Sequence, residues 1–278
     1  TKVAPKSSPL SQESKLWEEI NNIRITNSKN DEFFISQEKK VEIYRFLSEN
    51  EVMKANDLKK ILGISANDKE WTIDKAVSKG LTGNTTRTRL RKALSHFKRE
   101  DLLRFDMQLT DSSFVNPETG EILHEIDPKC EQEPLYRLWH CIYSIDNKED
   151  LAKALENQFG ITNKEAIDNL NKIDFVKQGY GSKSAKFIRR ILPYLQNGAM
   201  YSEACEIIGT NHSGSLTKAE NAARQLLQRI PQLNKNELRQ PVVEKILNQM
   251  INVVNAIAEK FGSIDEIRIE MARELKLS

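Results

Sequence analysis

The sequence predicts a mainly α fold with one small β-hairpin and one strand near its C-terminal end. Three observations carry this. Apolar residues recur at helical spacing from Trp17 to Ile257. Cap residues and glycine stops bracket many of those stretches, such as Ser36 ahead of "QEKKVEIYRFLSEN" and Gly160 after "KEDLAKALENQF". Strand-like alternation is confined to "SSFVNPETGEILHEI" and "EIRIE".

The opening "TKVAPKSSPL" is rich in Pro and Ser and reads as a loose lead-in. A helix follows through "ESKLWEEINNIRI", with Leu16, Trp17, Ile20 and Ile23 on one face. Ser36 caps the next helix, and Asn56 or Asp57 starts the short "LKKILGI". These two have the spacing of a helix-turn-helix pair. From Lys79 to Arg104 the chain carries eight Lys and Arg against two acids, with a helix beginning near Thr85 or Thr86. The hairpin turns between Asn116 and Gly120. From Glu133 the pattern is helical again through "LYRLWHCIYSI" and "KEDLAKALENQFGI", then "TNKEAIDNLNKI", capped by Thr162. "SKSAKFIRRILPYLQ" and "MYSEACEIIG" form a further pair. After Pro231 a long helix, Val242 to Lys260, carries Val243, Ile246, Leu247, Met250, Val253, Val254 and Ile257 in a broad stripe. Gly262 ends it. The last strand then sets Glu270 on the face opposite Ile267 and Ile269. These shifts divide the chain into 1–230 and 231–278, with a sub-boundary near 130. No internal repeat is found.

Composition narrows the function. The chain has 278 residues, 38% hydrophobic and 29% charged, with a net charge of +2. Global charge does not announce a nucleic-acid partner, but the basic stretch does. Cys130, Cys141 and Cys205 have no paired spacing, which argues for a reducing compartment rather than a disulfide framework. No apolar run approaches the ~20 residues of a membrane span, and no signal peptide is found. A bacterial cytoplasmic location and no membrane partner are expected. Thr1 rather than Met begins the chain, which reads as a cut piece. His96, His124, His140 and His212 share no ligand spacing, with His140 expected beside Trp139. No Gly-rich nucleotide loop or nucleophile motif is present.

Two basic segments are candidate nucleic-acid contacts. In the first, "TGNTT" with Asn84 and Thr85 precedes Arg87, Arg89, Arg91 and Lys92. Arg87 and Arg91 lie four apart, the spacing of one exposed helix face. A helix N-terminus favours anions, and arginine forks match phosphate oxygens. In the second, "GYGSKSAKFIRR", Gly179 and Gly181 flank Tyr180, and Ser182 or Ser184 caps a helix. Lys183, Lys186, Arg189 and Arg190 decorate that helix while Phe187, Ile188, Ile191 and Leu192 face inward. Tyr180 either stacks on a base or ribose or packs in the core. The plain alternatives are a solvated helix face and a capped amphipathic helix.

Glu270 alone makes no hydrolytic site, because two-metal phosphodiester cleavage needs several carboxylates around ions ~4 Å apart. The stretch "NQMINVVNAIAEKFGSIDEIRIEMARE", preceded by "RQPVVEKILNQ", resembles the second segment of the split RuvC-type nuclease domain of the type II CRISPR RNA-guided DNA endonucleases, the Cas9 family. "FVKQGYGSKSAKFIRRILPYLQNGAMYSEAC" resembles the end of that family's recognition lobe, as "SKLWEEINNIRI" and "GLTGNTTRTRL" do less specifically. The first RuvC segment, the arginine-rich bridge helix, the His/Asn nuclease insert, the third RuvC segment and the PAM-reading domain have no counterpart here. The resemblance implies a helical recognition-lobe fragment that grips guide RNA and the RNA–DNA heteroduplex by shape and backbone while base pairing reads sequence. It also implies that Glu270 is a catalytic Mg2+ ligand whose co-ligands sit in the rest of the nuclease chain. The fragment by itself is expected to be inactive. An anti-CRISPR inhibitor protein is a further partner to consider. Two readings from other classes are a helix-turn-helix DNA-binding regulator using Ser36 to Ile64 and a helical protein-interaction scaffold.

Overall fold

Residues Val3–Pro5 form a strand, β1, in place of the expected loose lead-in. The structure is a computed structural model. It describes residues 3–29, 31–65, 67–68, 70–116, 119–210, 229–234 and 241–262, without the side chains of 75, 76, 111–113 and 241. Ser7, Ser8, Pro9 and Leu10 are all buried. The Pro/Ser composition that reads as loop is a helix start. Ser8 accepts from the Ser11 amide, and Pro9 fills a first-turn position whose N–H has no helical partner. Helix α1 therefore runs Pro9–Asn21, and Ile23 lies beyond it, still buried.

The chain continues through β2 (Ile25–Thr26), α2 (Gln37–Glu49, capped by Ser36), β3 (Val52–Met53) and α3 (Ala55–Leu62). α3 starts just ahead of the expected Asn56 or Asp57, with the Asp57 carboxylate accepting from the Lys54 amide. Next come β4 (Thr72–Ile73), the single turn α4 (Lys75–Ser78), β5 (Leu81–Thr82) and α5 (Thr85–Leu94). The hairpin is β6 (Leu109–Val115) with β7 (Ile122–Ile126), and Gly120 closes its turn at φ 71°. Helices α6 (Pro134–Ser144), α7 (Lys148–Phe159) and α8 (Lys164–Asn171) follow. Gly160 stops α7 in the left-handed region, as its sequence position predicts. Asn163, not Thr162, caps α8, accepting from the Glu165 and Ala166 amides. Then come β8 (Tyr180–Ser184), α9 (Ala185–Gln196) and α10 (Tyr201–Ile207). The described residues are mainly helical, with only small antiparallel sheets.

Each sheet among them has two strands: β1 with β8, β2 with β4, β3 with β5, and β6 with β7. Val3 faces Ser184 and Pro5 faces Tyr180, so the first strand pairs with one far along the chain.

The chain divides into two units, Thr1–Ser215 and Leu216–Ser278. The first unit holds two hydrophobic cores. One joins Leu16, Trp17 and Ile20 of α1 to Ile43 and Leu47 of α2, to Ile191 and Leu195 of α9, and to Leu123 and Ile126 of the hairpin. The other is built wholly from Leu90 to Phe175, by α5 to α8 and the turn after them. Neither core divides at residue 130. Ser7 ties them together. Its hydroxyl donates to the Phe175 carbonyl (3.1 Å) and accepts from Trp139 Nε1 (3.2 Å), while its carbonyl accepts from Thr86 Oγ1 (2.7 Å). Cys130, Cys141 and Cys205 are free and buried.

In the second unit α11 runs Pro241–Phe261. Two of its asparagines grip the backbone of residues 229–234. Asn255 accepts from the Ile230 amide (2.8 Å) and donates to its carbonyl (2.9 Å). Asn248 treats Leu233 in the same way, at 2.8 and 3.1 Å. Pro231, which has no amide hydrogen, falls between the gripped positions. No described helix is long and apolar enough to cross a membrane.

Candidate nucleic-acid interface

The N-terminus of α5 is turned into the protein. Asn84 is fully buried, accepts from the Arg87 amide (2.9 Å) and donates to Glu13 (3.3 Å). Thr85 gives its amide and hydroxyl to Gln12 Oε1, at 2.8 and 3.0 Å. Gly83 is pressed on the end of α2, where an added Cβ would stand 1.9 Å from the Asn50 carbonyl. "TGNTT" therefore seats α5 on α1 and α2. Burial removes Asn84 from the phosphate contacts expected of it, and Thr85 keeps only a cleft-facing edge.

The basic side chains of α5 diverge. Arg87 and Arg91 share a face, as their spacing requires, but it is half-buried rather than exposed. Arg87 lies beside Glu13, and Arg91 stands 3.6 Å from Glu49. Arg89 and Lys92 are exposed, and among the described residues Arg89 has no ion-pair partner.

In the second segment, Tyr180–Ser184 is a strand. Ser184 caps α9, accepting from the Phe187 amide (3.2 Å), which settles the choice between Ser182 and Ser184. Three of the four cations face acids. Lys183 donates to Glu18 at 2.5 Å and stands 4.2 Å from the Tyr201 ring centre. Arg189, only 12% exposed, pairs with Glu131 at 2.8 Å. Arg190 pairs with Glu125 at 2.9 Å and lies over Phe114. Arg189 and Arg190 thus fasten α9 to the hairpin and the turn after it, which corrects their reading as surface decoration. Lys186 and Ser182 are exposed, and Tyr180, 62% exposed, lies outside the core with its hydroxyl bonded to Tyr143.

The structure brings four of the candidates together, and leaves Lys92, Lys186 and Tyr180 outside that group. A cleft of about 590 Å³ runs along the polar face of α1. Thr85 and Arg89 of α5 line it, together with Ser182 and Lys183 of β8. Lys6, Lys15, Glu18 and Glu19 complete its charges, giving four cations and two carboxylates. Lys6 and Lys15 are cleft residues that sequence reading misses. A polar helix face looks like solvated surface until the elements opposite it are known. Arg91 faces a separate hollow of about 280 Å³ with Ser95, Lys98 and Arg99.

Among the described residues no three His, Cys, Asp or Glu side chains converge as a metal site, so they do not fit Mg2+ by themselves. Glu270 and the strand expected to carry it lie outside the described residues, as does His212. His140 stands beside Trp139, with ring centres 6.1 Å apart.

No family model matches the chain. Curated relatives do match it, among them two large CRISPR-associated endonucleases. One is CRISPR-associated endonuclease Cas9 1 of Streptococcus thermophilus, 28% identical over 153 residues, which cover 52% of this chain and 13% of that protein. The other, CRISPR-associated endonuclease Cas9 of Campylobacter jejuni, is 28% identical over 145 residues, covering 51% of this chain and 14% of that protein. About half of the chain thus matches Cas9 endonucleases, over roughly an eighth of those relatives' length. In fold, the type II-C Cas9 of Actinomyces naeslundii is similar over 94% of this chain and 25% of its own, with a TM-score of 0.50 and 14% identity.

Proposed function

We propose that this chain is the part of an RNA-guided CRISPR endonuclease that grips guide RNA and the guide–target heteroduplex. We further propose that it hands one carboxylate, Glu270, to a RuvC-type site completed by the rest of the nuclease chain. One observation carries the first half: the cleft on α1 gathers Lys6, Lys15, Arg89 and Lys183 from three segments far apart in sequence. Lysine and arginine heads neutralise backbone phosphates without reading bases, so base pairing is left to choose the sequence. The names of the curated relatives support the nuclease context. Magnesium held there would supply Lewis-acid polarisation of a phosphodiester and of water. Glu270 contributes an anionic oxygen of the kind that hard ion takes. No observation favours an inhibitor protein as partner.

RNA binding by the chain, followed by fluorescence anisotropy, tests the grip. The log of affinity should fall with log salt by roughly 0.7 to 0.9 per phosphate contact. Arg89→Ala should lower that slope by about one contact. Arg190→Ala, which removes an internally paired cation, should leave the slope where it was. A flat slope in the wild type would sink the proposal.

A further inference from the structure

The apolar stripe of α11 faces water. Val243, Ile246, Met250, Val253 and Ile257 are each between 36 and 59% exposed. They lie on the side of the helix opposite Asn248, Asn252 and Asn255, whose side-chain amides serve residues 229–234. The clasp thus occupies the polar side and leaves the apolar side open. The spacing along the stripe is three, four, three and four residues, the alternation that packs one helix along another. The 21-residue helix is about 30 Å long, and Val242 and Phe261, 71 and 73% exposed, carry the stripe to both ends. Together these side chains leave roughly 600 Å² of apolar surface in water, the upper end for the largest patch on a monomer. Two copies that bury it hide about 1,200 Å², the size at which specific stable interfaces begin.

Charge sets the direction of the pairing. Lys260 is the next residue in the three-and-four series. Parallel helices bring each core position against its own copy, Lys260 against Lys260, and like charges repel. Antiparallel helices related by a two-fold axis set Ile246 against Ile257, and Met250 against Val253, of the second copy, twice over. Val242 then lies level with Phe261. Lys260 meets Val243 at the end of the stripe, where its ammonium reaches water. We propose that α11 is a self-association surface: two copies of this chain pair through it, antiparallel, about an axis between Met250 and Val253. The inference goes beyond the nuclease reading and does not depend on it.

Sedimentation velocity tests it. An interface at the lower limit of size holds in the micromolar range, so the 278-residue chain should pass from monomer to dimer between about 1 and 100 μM. Val253→Lys sets a charge beside the axis at an exposed position, so it opens no core cavity, and it should weaken the dimer about a hundredfold. Met250→Glu should do the same. Mixing these two variants should restore the dimer, because the introduced lysine faces the introduced glutamate. Mixing Val253→Lys with Val253→Glu restores a parallel pair instead, so recovery in that mixture alone overturns the antiparallel arrangement. A dimer that survives Val253→Lys overturns the surface. A wild type still monomeric at about 100 μM overturns the proposal and leaves the stripe to another partner, such as the rest of the nuclease chain.

Discussion

Glu13 is an acid in an expensive place. It is 1% exposed where α1 meets α2 and α5, with Asn84 donating to it and Tyr44 and Arg87 alongside. Burial raises its pKa from an ordinary 4.5 to about 7, the neighbouring side chains opposing the shift. In the unfolded chain the proton leaves near 4.5, whereas the folded chain keeps it to about 7. The stability tied to that proton is therefore complete below 4.5 and is lost as pH rises through about 7. The whole shift amounts to about 3 kcal/mol. Urea unfolding at about pH 5 and about pH 8 should reveal a loss approaching that size, and Glu13→Gln should flatten it. An equal loss in the variant would assign the pH dependence to other groups. Residues of this kind are hard to read from sequence. The cap Ser36 announces itself by the periodic helix it precedes, and the second is narrowed to Ser182 or Ser184, but Glu13 sits on a helix rich in acids and only tertiary packing singles it out. Arg189 and Arg190 mislead for the same reason, since their partners Glu131 and Glu125 lie on elements remote in sequence.

Helices declare themselves within one stretch of chain, which is why α2, α7, α9 and α11 match their sequence signals closely. The hairpin is legible too, because its turn and both strands are contiguous. β1 and β8 are not: a strand of three or five residues shows too little alternation, and its partner is not its neighbour. The clasp on α11 belongs to this scale. Asn248 and Asn255 hold the main chain of Leu233 and Ile230, so they act as a strand partner supplied by side chains. Asn255→Ala removes both bonds to Ile230. The Ile230 amide should then exchange with deuterium about fivefold faster, matching roughly 1 kcal/mol for a lost hydrogen bond. Exchange at Leu233 should move less, because Asn248 still holds it. No change at Ile230 would mean the segment stays in place without the clasp.

For the molecule as a whole, the fold class and the two basic segments were legible, while the cleft was not, because it exists only once α1, α5 and β8 are brought together. The proposed nuclease role makes a sharp demand on the full-length enzyme. Glu270→Gln keeps the side chain's size but removes the charge that magnesium needs. One strand of a plasmid should stay uncut, with guide loading and target binding unchanged and the other strand cut by the His/Asn insert that the resemblance implies. The 278-residue chain with magnesium and guide should cut neither strand. Linear plasmid at the wild-type rate from Glu270→Gln would remove that residue from the site. The pairing of β1 with β8 has a further consequence, in time. A ribosome adds about 5 to 20 residues per second, so roughly ten to forty seconds separate the two strands. The second core, contiguous from Leu90 to Phe175, is made within that interval and has no need to wait. The first core does wait: Leu16, Trp17 and Ile20 stay incompletely covered until Ile191 and Leu195 emerge. During synthesis, α1 thus emerges with an apolar face that stays open until α9 follows it.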